Sequence, residues 1–173
     1  ISPAVARAAM ESGVAGIEIT DWEKYADDLQ ERLGGDNKII KLLFNRAKTD
    51  PKKIVFAEAD QLDVLKAAQI VHEEGIGIPI LLGNLEIIQE LKEEIGFDAE
   101  LKIIDPKSKD EDKTREKYAQ YFWKTRQRRG TSLLDAQKWM RERNYFAAMM
   151  INTGDADCLV TGYSRSYPTV VKP

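Results

Sequence analysis

Residues 52–84 read KKIVFAEADQLDVLKAAQIVHEEGIGIPILLGN, and their pattern decides the fold. Ile54-Val55-Phe56-Ala57 is a short β-rich run behind Pro51. Asp60 to Glu74 then has helical spacing, with Val64, Leu65, Ala68 and Val71 turned inward. Ile78 to Leu82 is a second strand, entered near Pro79 and closed by Gly83. Asn84 is placed to cap a helix running to Glu94. Leu101 to Ile104 is a third strand, stopped by Asp105-Pro106. Short apolar strands alternating with helices argue for an α/β fold: a parallel sheet with helices on both faces.

Upstream of this stretch the pattern is helical. Ser2 to Glu11 is an Ala-rich helix closed by Gly13, and residues 16–20 form a linker. Thr20 and Glu23 have capping-box spacing for a helix reaching Leu33 and ending at Gly34-Gly35. Asp36 is placed to cap Asn37 to Lys48, whose Ile39, Ile40, Leu43 and Phe44 fall near one face. Downstream, Ser108 and Glu111 have the same box spacing before a long helix, Asp110 to Arg129, ended by Gly130. Thr131 or Ser132 can cap the next helix, to Glu142, and Asn144 the one after.

The last segment, residues 143–173, is RNYFAAMMINTGDADCLVTGYSRSYPTVVKP. A helix from Tyr145 to Ile151 breaks at Gly154. Cys158-Leu159-Val160 is too short for a helix and is bounded by glycines, so it reads as a buried strand, the fourth. In open parallel sheets ligands sit beyond the carboxyl ends of strands. Gly162 to Tyr167 occupies that place, and its hydroxyls with Arg165 suit an anion.

The totals bound the function. The chain has 173 residues, 43% hydrophobic and 32% charged, which is enough for one domain with a real core. A formal net charge of -3 argues against a general nucleic-acid binder. The single cysteine, Cys158, cannot form an internal disulfide, which fits a reducing, cytoplasmic setting. No run of about 18 apolar residues predicts a membrane span. The chain starts at Ile1 rather than Met and stops at Pro173, so it reads as a fragment cut at both ends. It carries neither a GxGxxG nor a P-loop pattern.

GDADCLVTG resembles the Gly-Asp-Ala-Asp-Gly-Leu-Val-Ser-Gly motif of the phosphate acetyltransferase/butyryltransferase family. RQRRGTSLLDAQKWMRERNYFAAMM followed by GYSRSYP resembles the acetyltransferase-like C-terminal region of bacterial multidomain NADP-dependent malic enzymes. ISPAVARAAMESGVA is similar to the last helix of their dehydrogenase region, and residues 52–84 to the family's opening βαβ unit. The resemblance implies a three-layer αβα fold of the isocitrate/isopropylmalate dehydrogenase-like type. Residues 1–19 would be the end of the malic enzyme region and linker. Residues 20–173 would be the first lobe of the acetyltransferase-like domain, without its second lobe. It also implies that malate is oxidatively decarboxylated to pyruvate, with NADP and a divalent metal, in a region outside this chain. This piece would be a regulatory and oligomerisation module that senses acetyl-CoA. Its expected partners are its own malic enzyme region, the second lobe and further copies of itself, with neither nucleic acid nor membrane. The alternative is a phosphate acetyltransferase, making acetyl phosphate and CoA.

Within that frame Arg126, in Trp-Lys-Thr-Arg-Gln-Arg-Arg-Gly, aligns with a family arginine near the acyl-CoA and phosphate site. A solvated helix end explains the other cations of the run from Lys124 to Arg129. Ser164, Arg165 and Lys172 are the remaining ligand candidates. Here the chain departs from the transferases, which resemble Gly-Ala-x-His-Thr-Thr where this chain has Gly162-Tyr163-Ser164-Arg165-Ser166-Tyr167. Lys172 stands for their Arg-Pro arginine, keeping charge but losing the planar fork. His72 reads as a surface residue and Cys158 as a small buried hydrophobe. Asp155 and Asp157 suit turn and packing roles better than a metal. Glu58 and Asp60 lie at the sheet's ligand edge, with Asp60 placed to cap a helix.

Overall fold

The computed structural model describes residues 2–32 and 37–173. The chain divides into two compact units, one ending at Arg46 and the other Ala47–Pro173.

In the first unit, α1 (Ser2–Glu11) ends where the Ser12 hydroxyl donates to the Ala8 carbonyl at 2.8 Å. α2 (Trp22–Arg32) is capped by Asp21, whose carboxylate accepts the Lys24 N–H at 3.0 Å. The cap thus falls one residue later than the Thr20–Glu23 spacing suggests, because the Asp21 carboxylate takes the free amide of the third helical residue, Lys24. The Arg7 guanidinium lies 4.9 Å from the Trp22 ring centre, joining the two helices. Leu33, the Gly34-Gly35 stop and the Asp36 cap lie outside the described residues. α3 (Asn37–Thr49) leaves Ile39, Ile40, Leu43 and Phe44 exposed.

The second unit is built on parallel strands: β1 (Lys52–Phe56), β2 (Gly77–Leu82), β3 (Lys102–Ile104) and β4 (Cys158–Val160). Their order is β3-β2-β1-β4, with Val55 opposite both Ile80 and Leu159. Strand alternation sends successive side chains to opposite faces. Val55, Ala57, Ile80, Leu82 and Ile104 face one layer, made by α6 (Asp112–Arg126), α7 (Leu133–Trp139) and α8 (Arg143–Thr153). Phe56 and Leu81 face the other, made by α4 (Leu62–Glu73) and α5 (Leu85–Glu94). The result is the three-layer αβα arrangement.

Several local signals are realised as written. Asn84 caps α5, accepting the N–H groups of Glu86 at 2.9 Å and Ile87 at 3.2 Å. Ser132 and Asp135 form a reciprocal capping box on α7. Gly154 ends α8 in the left-handed region at φ 79°. Other details differ. β4 is an edge strand, paired only with β1 among the described residues, so Cys158 and Val160 are exposed rather than buried. α6 starts at Asp112, because the Ser108 hydroxyl accepts the Asp110 N–H in a preceding turn. It closes through a 3₁₀ turn at Gln127–Arg129, and α7 stops at Trp139. Asp60 and Asn144 cap nothing; both are drawn into the site described below.

Phe146 is fully buried (0% exposed) in the larger core, edge-on to Tyr118 at 5.1 Å between ring centres. Phe146→Ala is expected to lower stability by about 3–5 kcal/mol through lost burial and the cavity left behind. Urea unfolding of the chain measures it, and a loss under about 1 kcal/mol would mean that this layer is not cooperatively packed.

Candidate functional site

The strand order fixes where a site can form. The chain steps from β1 outward to β2 and β3, then returns past β1 to β4. The order therefore reverses between β1 and β4, and in open α/β sheets the crevice at that switch point receives ligands. The loops beyond β1 and β4 meet there.

Glu58, two residues beyond β1, is 3% exposed. One carboxylate oxygen accepts the N–H groups of Gly162 at 2.7 Å and Tyr163 at 3.0 Å. The other accepts the Ser164 N–H at 2.7 Å and the Ser164 hydroxyl. An unpaired buried carboxylate would be costly, and this set of donors offsets that cost. Burial alone would push Glu58 up, but the Ser164 hydroxyl and the three N–H groups outweigh it and hold its pKa below the ordinary 4.5. Gly162 makes the turn possible, since its φ of 101° is one that other residues rarely adopt.

Asp60 binds Arg143 through both oxygens, at 2.6 and 2.5 Å. That fork pins the start of α8 against the loop after β1. The Thr161 hydroxyl donates to the Asn144 side-chain carbonyl at 2.8 Å, tying β4's exit to the same helix. The GDAD turn is structural. Asp155 accepts the Tyr118 hydroxyl at 2.6 Å and the Thr153 hydroxyl at 2.7 Å. Asp157 accepts the Lys53 N–H at 2.8 Å and returns its own N–H to the Lys53 carbonyl at 3.0 Å, which sets β4's register on β1. Among the described residues no group of three or more His, Cys, Asp or Glu could hold a metal ion. His72 is exposed. No described helix is long and apolar enough to cross a membrane.

These contacts frame an open cavity of about 380 Å³, lined by Glu58, Trp139, Arg143, Tyr145, Arg165 and Lys172 among others. Trp139 and Tyr145 stack, with ring centres 5.3 Å apart and planes 16° from parallel, and Phe122 meets both edge-on. Arg165 and Lys172 have no ion-pair partner among the described residues. Arg165 and Lys172 thus share one cavity. Arg126 sits at its border: its guanidinium lies over Phe122 at 5.6 Å and donates to the Pro173 carbonyl at 3.3 Å. Burial raises the Tyr145 phenol pKa, and the Arg126 charge offsets part of that rise. Ser164 is placed differently, its hydroxyl being spent on Glu58. Two uncommitted cations beside a flat aromatic wall suit an anion that carries a planar group. The sequence pattern gave no signal for Arg143, Trp139 or Tyr145. Glu58 was legible only as a position at the sheet's edge.

Two outcomes test this geometry. Because Glu58 is held below its ordinary value, its clamp is fully present above about pH 4.5 and is lost as pH falls through the lower folded value. The amide resonances of Gly162, Tyr163 and Ser164 should therefore stay fixed down to about pH 4.5 and shift together below it; a shift between pH 5 and 7 would contradict the clamp. Asp60→Asn should cost about 1.5–3 kcal/mol in urea unfolding, the scale of a hydrogen-bonded charge left without its partner.

Comparison with known proteins places this geometry. The Phosphate acetyl/butaryl transferase family matches residues 38–173. A phosphate acetyltransferase of Thermoanaerobacterium thermosaccharolyticum is 37% identical over 136 residues, 78% of this chain and 40% of that protein. An NADP-dependent malic enzyme of Rhizobium meliloti is 34% identical over 173 residues, 99% of this chain but 23% of its own length. The chain thus spans less than a quarter of that relative. The crystal structure of a phosphotransacetylase from Streptococcus pyogenes superposes with a TM-score of 0.69 at 31% identity, covering 81% of this chain and 42% of that one. With the family matching most of its length and a transferase sharing its sheet, this chain belongs to the phosphate acetyl/butaryl transferase family.

Proposed function

We propose that this chain is the first lobe of the acetyltransferase-like domain of an NADP-dependent malic enzyme, acting as a regulatory and assembly module. One observation carries this reading. The transferase match is confined to 136 residues, whereas the malic enzyme match runs over 173 and takes in the helices ahead of residue 38. A free-standing transferase would have no reason to share that N-terminal stretch with a malic enzyme.

In this reading malate is oxidatively decarboxylated to pyruvate, with NADP and a divalent metal, by a region outside this chain. The cavity between β1 and β4 takes the phosphate-bearing part of acetyl-CoA, through Arg165 and Lys172 with Arg126 at the border. The fit rests on two cations without ion-pair partners among the described residues and on the Trp139–Tyr145 wall. Two features speak against acetyl transfer in this lobe. Tyr163-Ser164-Arg165-Ser166 departs from the transferase pattern, and the Ser164 hydroxyl is already committed to Glu58. Copies of the chain assemble as a homo-oligomer through this domain. The 37% identity to a transferase keeps the second reading in play, in which the domain makes acetyl phosphate and CoA from acetyl-CoA and phosphate.

Malate-dependent NADPH formation by the full-length protein, with and without acetyl-CoA, decides between them. The expected result is a rate that changes with acetyl-CoA, and a change that disappears when Arg126 and Arg165 are both replaced by Ala. Malate oxidation indifferent to acetyl-CoA would reduce the domain to assembly. No malate oxidation with metal supplied, together with acetyl phosphate formation, would install the transferase reading.

A further inference from the structure

The loop after β4 presents three consecutive backbone N–H groups, from Gly162, Tyr163 and Ser164, to a single carboxylate. Successive N–H groups converging in this way form the kind of nest that binds anions in many proteins. Here the nest is filled from within by Glu58, with the Ser164 hydroxyl as a further donor. Each Glu58 oxygen already accepts two of these hydrogen bonds, so the carboxylate is poorly placed to serve as a base. The residue that follows the clamped segment is Arg165, which lines the cavity and has no ion-pair partner of its own among the described residues. Its backbone continues directly from the segment that Glu58 holds, a segment the Tyr163 hydroxyl also ties to Asp63.

We propose that Glu58 is the positioning residue of an anion site: by clamping residues 162–164 it aims Arg165 into the cavity, and it acts on a bound phosphate group through Arg165 without touching it. The proposal deepens the reading of this cavity as a site for phosphate or the phosphates of CoA, and rests on it. Two effects of Glu58 oppose each other here, which makes the role measurable. Its negative charge lines the cavity and disfavours an anion, so charge removal alone would tighten binding. Its clamp orders Arg165, so losing the clamp weakens binding.

The experiment is calorimetric titration of the full-length protein with inorganic phosphate and with acetyl-CoA, in the native form and as E58Q, R165A and the double variant. Glutamine offers one acceptor oxygen where the loop needs two. E58Q is expected to weaken both probes at least about tenfold, the scale of one misplaced charge-assisted hydrogen bond, although it removes a repelling charge. In the R165A background E58Q should cost nothing further. Unchanged or tighter binding by E58Q overturns the proposal, as does an additive loss in the double variant. If the native protein binds neither probe, the anion reading of the cavity fails and takes this proposal with it. Native binding with an indifferent E58Q sinks the positioning role alone. Should E58Q lack a native thermal transition, E58D keeps the charge but retracts it by one methylene. Native-like affinity in E58D, or loss of folding in both variants, would make Glu58 a structural residue only.

Discussion

A buried carboxylate beside the end of β1 accepts three amides and a hydroxyl from the loop after β4. The rest of the site depends on this interaction. Two strands far apart in sequence contribute the loops that meet there, and Glu58 is the group that joins one loop directly to the other's backbone. Without Glu58 the three N–H groups would need water, and the chain beyond Gly162 would lose its anchor. Without the loop Glu58 would be a buried charge lacking partners. Each makes the other tolerable, and the cavity is what their joint geometry leaves open.

Smaller constraints prepare that meeting. Asp157 accepts the Lys53 N–H on its carboxylate and donates its own N–H to the Lys53 carbonyl, which fixes β4 on β1 in the register that brings Thr161 and Gly162 level with Glu58. Asp60 grips Arg143, which orients α8 and with it Tyr145 in the cavity wall. Asp155 holds the Tyr118 hydroxyl and secures the turn between α8 and β4 against α6. Asp60, Asp155 and Asp157 are thus all spent on alignment. Their common logic is that a short edge strand of three residues has too few ladder bonds to place itself.

Much of the fold was legible because its signals are local. The runs at 54–57, 78–82 and 101–104, the Asn84 cap, the Ser132 alternative for the α7 cap and the Gly154 stop depend on neighbours in sequence, and each appears in the structure. The misreadings were also physical. β4 looked buried because its residues are apolar, yet a strand at the sheet's edge exposes Cys158 and Val160 whatever their hydrophobicity. Asp60 and Asn144 have good capping chemistry, but a bidentate arginine and a threonine hydroxyl offered them better partners from 83 and 17 residues away. Among the site candidates, Arg165 and Lys172 line one cavity, Arg126 lies near it, and the Ser164 hydroxyl is bonded to Glu58.

By itself the sequence determined the alternation of strands and helices, several of their caps and stops, and the family to which the chain belongs, because periodicity, caps and motifs are written in adjacent residues. Only the tertiary structure decided the strand order β3-β2-β1-β4, the meeting of Glu58 with residues 162–164, and the Trp139–Tyr145 wall beside Arg165 and Lys172. The reason is distance along the chain. Glu58 and Ser164 are 106 residues apart, and nothing local to either specifies that a carboxylate will find its donors there.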